Sequence, residues 1–101
     1  MTKLYSYLGL AQRAGKLVSG EEAVEAAVRR GRVRLVIIAA DASSNTKAKF
    51  SNMAGHRRID YVLVGDKDTL GKAIGKPQRA VIGVVDRGFA SLIRGLVEEK
   101  N

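Results

Sequence analysis

The side chains best placed to do chemistry in this sequence are cationic. Lys16, Lys67, Lys76 and Arg79 stand in or beside Gly-, Ser- or Pro-marked connections, where a side chain can reach a ligand from a rigid support. Arg29, Arg30, Arg32 and Arg34 form a second basic group, which reads equally as a binding patch or as a solvated charge run. Acid–base chemistry has one visible candidate, the adjacent pair Glu21 and Glu22. A simpler reading fits that pair: Ser19 with Glu22 three residues on is a capping-box pattern, each side chain satisfying a backbone N–H at a helix start, and Glu21 gains from the same helix dipole. His56, the single histidine, lies in the polar string GHRR and reads as a solvated or C-capping imidazole. Catalysis through Glu21, Glu22 and His56 is therefore a poor reading, and no enzymatic activity is expected.

Other chemistries are excluded by composition. The chain has no cysteine, which removes disulfides, thiolate metal sites and thiol nucleophiles together. One histidine without clustered carboxylates leaves no metal-ligand spacing, so no metal is expected. The glycines form neither a dinucleotide fingerprint nor a Walker loop; Gly71 and Gly75 read as mid-helix and end-of-helix glycines, and Asp86-Arg87-Gly88 as a cap and turn. No cofactor and no small-molecule substrate are expected. Charge then decides the partner class. Lys and Arg number 18 against 10 Asp and Glu, a net +8, which favours a polyanion through release of its condensed counterions. Nucleic acid is the leading candidate, with an anionic lipid surface or a mere solubility charge as alternatives. Three Tyr, two Phe and no Trp make stacking along a single strand an unexpected mode, and a folded duplex read by shape the expected one.

The elements that must position these residues follow from apolar spacing. Leu4, Tyr5, Leu8 and Ala11 predict a first helix over residues 2–14 ending at Gly15, and residues 16–19 a short extended piece. AVEAAVRR, closed by Gly31, predicts a second helix. VRLVIIAA at 33–40 predicts a central strand covered on both faces; Ser43, Ser44 and Asn45 offer caps for a third helix through about His56, with Lys47 and Lys49 on its outer face. A strand at 61–64, a fourth helix capped by Asp66, a loop over residues 75–79, a strand in AVIGVVD and a final helix from about Arg87 complete the chain. This alternation places helices on both faces of a mixed sheet in one domain spanning residues 1–101. The N-terminus is broken by Lys3, Gln12 and Arg13 and reads as no signal peptide; with no stretch apolar enough to span a membrane, a cytoplasmic location is expected.

Four strings carry a family resemblance: LGLAQRAGKLVSGEEAV at 8–24, LVIIAADASSNTK at 35–47, LGKAIGK at 70–76 and VVDRGFA at 84–90. In this order they are spread almost from end to end of the chain, which resembles the kink-turn RNA-binding superfamily of ribosomal proteins L7Ae and L30e and, within it, the bacterial YlxQ-like branch. The resemblance implies a three-layer α/β/α sandwich with a four-stranded mixed sheet, no catalytic activity, and a structured RNA as partner, possible ribosomal RNA included. It implies an RNA site at one end of the fold, formed by the start of the second helix and the loop before the last strand. Carried over residue by residue, that site holds Lys16, Ser19, Gly20, Glu21, Glu22, Lys67, Gly75, Lys76, Gln78 and Arg79, with a cationic rim expected there. The family's Gly-x-Asn-Glu with a later Lys is met here only at Gly20; the following positions are Glu22, Ala23 and Ala26, and Ser19 stands where a lysine is usual. A carboxylate accepts hydrogen bonds where asparagine both donates and accepts, so RNA sequence preference is expected to differ. A monomer is expected. The alternative reading is a protein-interaction or assembly module of the same fold with only non-specific RNA affinity.

Overall fold

The computed structural model describes residues 2–99. The chain alternates α1 (Thr2–Arg13), β1 (Leu17–Ser19), α2 (Glu21–Arg29), β2 (Leu35–Ile38), α3 (Ser44–His56), β3 (Asp60–Leu63), α4 (Lys67–Ala73), β4 (Val81–Val84) and α5 (Arg87–Glu99). The order expected from spacing is the order found. The strand expected over 33–40 is shorter: the ladder pairs only Leu35–Ile38, with Val33 and Ala39 buried just outside it and Arg34 and Ala40 exposed.

The sheet runs β1-β4-β2-β3, with β2 and β3 parallel and β4 antiparallel to both β1 and β2. Every residue of β2 and of β4 is buried, as two inner strands covered on both faces require. Helices α2 and α3 cover one face, while α1 packs on α4 and α5 across the other, giving the three layers. Gly83 in mid-β4 permits the first of these contacts: a Cβ there would lie 3.0 Å from Val18 Cγ2 and 3.5 Å from Val24 Cγ1, so its absence lets α2 sit close to the sheet. Phe50, Leu8, Leu70, Ile82 and Ile93 fill the two layers of core.

This topology sorts the loops. Since β4 runs against its neighbours, β1, β2 and β3 all finish at one end of the sheet, where α2, α3 and α4 begin and β4 enters. The opposite end collects the last turns of α1, α2 and α3 and the first turn of α5. The molecule measures 30 × 28 × 26 Å along its principal axes.

Candidate functional site

Three helices start at the end where β1, β2 and β3 finish, and they are capped differently. Ser43 Oγ accepts from the Thr46 amide at 3.1 Å to cap α3, and Asp66 Oδ1 accepts from the Thr69 amide at 2.8 Å to cap α4. Helix α2 has no side-chain cap. Its N-cap is Gly20, at φ 93 and ψ 151. The capping box expected of Ser19 and Glu22 is therefore corrected: Ser19 is held in the ladder opposite Ile82, and the Gly20 amide donates to the Val81 carbonyl at 3.0 Å, so the turn falls one residue later than the pattern needs. Ser19 Oγ instead accepts from Arg79 Nε at 3.0 Å. The first amides of a helix have no intrahelical acceptor, so those of Glu21, Glu22 and Ala23 stay unpartnered among the described residues. A Cβ on Gly20 would meet nothing within 4 Å, so the space in front of these donors is open.

The loop beside them is anchored on α4. The Lys76 amide donates to the Gly71 carbonyl at 2.9 Å, the Arg79 amide to the Lys67 carbonyl at 3.1 Å, and Gln78 Nε2 to Asp68 Oδ1 at 2.6 Å. Arg79 also donates through Nη1 to the Gln78 carbonyl at 3.0 Å. Gly71 makes this packing possible, since a Cβ there would stand 2.1 Å from the Pro77 carbonyl oxygen. Arg79 thus spans from the loop to β1 with its direction set, and part of its five-donor guanidinium has no partner among the described residues. Lys67 opens α4; its amide donates to Asp41 Oδ1 at 2.9 Å, and its cation stands where the helix dipole disfavours one, so the charge has no helical reason to be there.

The fold brings Ser19, Gly20, Glu21, Glu22, Lys67, Lys76, Gln78 and Arg79 to this end. Gly75 closes α4 at φ 71 and turns the chain back toward it. Lys16 is not brought there. Its carbonyl accepts from the Val85 amide at 2.9 Å, which puts it at the far end of β1 with the last residues of β4. The expected cationic rim is mixed in charge: Glu21, Glu22, Asp41, Asp66 and Asp68 share the end with Lys47, Lys67, Lys72, Lys76 and Arg79. Four of those five acids are engaged by internal donors: Asp41, Asp66 and Asp68 as above, and Glu21 by Thr46 Oγ1 at 3.1 Å. The site is therefore a set of fixed hydrogen-bond donors rather than a basic patch. Thr46, Asp41 and Asp68 carry no local signal in the sequence, and Gly71, read there as a mid-helix glycine, turns out to be what lets the loop pack on α4.

The Thr69 amide, and after it the Thr69 hydroxyl, hold the Asp66 carboxyl below the ordinary aspartate value of 3.8. A lowered carboxyl contributes stability that is complete above the unfolded value and is lost as the pH falls through the folded one. Asparagine caps as well as aspartate, so Asp66→Asn should keep α4 and its loop in place at neutral pH while removing this part of the acid limb. Thermal melts of both proteins from about pH 2 to pH 7 check the result, with curves that converge only at the acid end.

Residues 2–93 match the model of the ribosomal protein L7Ae/L30e/S12e/Gadd45 family. The RNA-binding protein YlxQ of Bacillus subtilis (strain 168) is 40% identical over 94 residues, covering 93% of this chain and 94% of that protein. A solved structure of a protein of unknown function from Bacillus halodurans C superposes with a TM-score of 0.93 at 45% identity, covering 97% of this chain and 99% of that one. The Giardia lamblia 15.5kD RNA binding protein shares the fold, with a TM-score of 0.82 at 24% identity over 97% of this chain and 87% of that one.

Proposed function

Because the chain belongs to the ribosomal protein L7Ae/L30e/S12e/Gadd45 family, we propose that it is a non-catalytic RNA-binding protein that takes a kink-turn or similarly bent duplex at the start of α2. One observation carries the placement. Of the three helices that begin at this end, α3 and α4 cap themselves, while α2 leaves the amides of Glu21, Glu22 and Ala23 open beside a glycine with clear space in front. Backbone donors and a dipole aimed at one spot suit phosphate or base-edge acceptors. The anchored loop supplies Arg79 and Lys76 from the flank, and an interface held in place before binding loses little entropy on association. Glu22, exposed and without a hydrogen-bond partner among the described residues, would accept from a guanine edge. The family's description as ribosomal supports ribosomal RNA as the source of that bent duplex and a cytoplasmic place of action.

The second reading, an assembly module with only non-specific RNA affinity, is favoured by one feature: Glu22, Ala23 and Ala26 stand where Asn, Glu and Lys were expected. Titration with a kink-turn duplex and a straight duplex of equal charge separates the two. Preference for the kink-turn by on the order of 10-fold or more at physiological salt supports site-specific recognition, and equal affinities support the assembly module. Arg79→Ala should weaken kink-turn binding by roughly 10-fold and lower the slope of log affinity against log salt by about one, as expected for a lost phosphate contact. An unchanged slope would remove Arg79 from the contact set.

A further inference from the structure

The chain's excess positive charge gathers at the other end of the sheet, away from the start of α2. Arg30 and Arg32 follow the last turn of α2, Arg34 leads into β2, Arg58 follows α3 and Arg87 opens α5, and all are exposed. Arg34 is the hinge of the group. It lines a cleft of about 230 Å³ shared with Arg87 and Arg94, and a second of about 210 Å³ shared with Arg57 and Arg58. Its own amide donates to the Val84 carbonyl at 2.7 Å, so the backbone between the clefts is fixed to β4.

Part of this charge is structural. Arg57 Nη1 donates to the Val28 and Arg29 carbonyls at 3.2 Å each and closes α2, while Arg94 pairs with Asp60 and lies 3.9 Å from Glu98. Arg34, Arg58 and Arg87 make no ion pair and no side-chain hydrogen bond among the described residues.

Two of these three stand where the fold itself prefers another residue. Helices α1, α2 and α4 close with paired turn hydrogen bonds around a left-handed residue, and that residue is Gly15 (φ 73), Gly31 (φ 72) and Gly75 (φ 71). Helix α3 closes in the same way, with the Arg58 amide to the Gly55 carbonyl at 3.2 Å and the Ile59 amide to the Ala54 carbonyl at 2.9 Å, yet the left-handed residue there is Arg58, at φ 57. It is the single non-glycine residue with positive φ among those described. Arg87 is the first residue of α5, next to Asp86, whose Oδ2 accepts from the Phe89 amide at 2.8 Å and supplies the anion that the helix start favours, so a cation at Arg87 adds nothing to the cap. Capping needs explain neither arginine, and the left-handed strain at Arg58 is of the kind held at ligand sites.

We propose that Arg34, Arg58 and Arg87 form a second phosphate-binding surface, at the opposite end from the start of α2, which takes the backbone of an RNA duplex. The choice of polyanion rests on the RNA reading above; the site itself rests on the placement of the arginines. Guanidinium forks match phosphate oxygens in pairs, and two clefts meeting at Arg34 offer places for successive phosphates. A membrane surface fits less well, because the exposed large apolar residues Leu10, Tyr61, Leu63 and Leu92 line neither cleft.

The test uses the full chain, a straight RNA duplex of about 16 base pairs and vesicles rich in phosphatidylserine. Arg58→Gly should raise the melting temperature by about 4–8 °C, by relieving the left-handed strain, and Arg87→Glu should raise it as well. Each should nonetheless weaken straight-duplex binding roughly threefold to tenfold, and Arg34→Ala, Arg58→Gly and Arg87→Glu combined should lower the salt slope by about three. A more stable protein with poorer RNA binding is an outcome that a merely structural role would not produce. Unchanged affinity and slope in the combined variant overturn the proposal, as does vesicle binding that is tighter than duplex binding and lost with the same substitutions. Preference for kinked over straight RNA reads the α2 end separately, so its failure leaves this result standing, and the reverse holds too.

Discussion

Gly71→Ala is expected to destabilise the protein and to cost it most of its kink-turn affinity, although alanine is the better helix former. A methyl at residue 71 would sit 2.1 Å from the Pro77 carbonyl oxygen, 2.7 Å from its carbon and 2.9 Å from the Lys76 carbonyl oxygen, all of them backbone atoms that cannot rotate aside. Restoring ordinary contact moves the loop by more than about 1 Å, which is enough to spoil a binding constellation. It also pulls on the bonds from the Lys76 amide to Gly71, from the Arg79 amide to Lys67 and from Gln78 to Asp68. Overpacking of this kind costs about 1–3 kcal/mol, against a helix-propensity gain of at most about 1 kcal/mol. The kink-turn dissociation constant should rise on the order of 10- to 100-fold, because Arg79 loses its fixed direction. Gly95→Ala in α5 is the control: a Cβ there meets nothing within 4 Å, so the same substitution should stabilise. Paired melts, with amide exchange at Lys76, Gln78 and Arg79, decide the matter. Equal stability of the two variants would mean that the loop does not depend on Gly71.

Gly20→Ala should have an effect of similar size for a different reason. Space is not the constraint, since a Cβ at Gly20 meets no atom within 4 Å. The backbone is: φ 93 with ψ 151 is a conformation held almost solely by glycine, and an L-residue there costs about 1–3 kcal/mol. Relief of that strain turns the peptide between β1 and α2, and with it the amides of Glu21, Glu22 and Ala23. Kink-turn affinity is expected to fall on the order of 100-fold, about 2.7 kcal/mol, while straight-duplex affinity changes little. Binding titrations beside melts separate the two effects. A variant destabilised as expected, but binding the kink-turn unchanged, would show that the α2 amides are not the recognition surface.

Helices and strands were legible in the residues because each is a local pattern. Leu4, Leu8 and Ala11 at helical spacing, the unbroken LVII and VIGV runs, and Ser43 and Asp66 ahead of their helices all ended up in the elements they implied. The pattern misled at Ser19 and Glu22, where spacing alone fits a capping box. Strand register outranks it: the pairing of Ser19 with Ile82 delays the helix start to Gly20, and Arg79, 60 residues away in sequence, takes the Ser19 hydroxyl.

Sequence by itself determined the alternating order of elements, the net charge of +8 and the family, since these depend on residue type and on neighbours a few positions apart. Only the tertiary structure decided where that charge resides. Because β4 runs antiparallel between β1 and β2, Lys16 is carried to the far end with the arginines, and Gly20 comes to the same end as Arg79, Lys67 and the acids at the start of α4. Strand direction is a property of long-range pairing, and no window of sequence contains it.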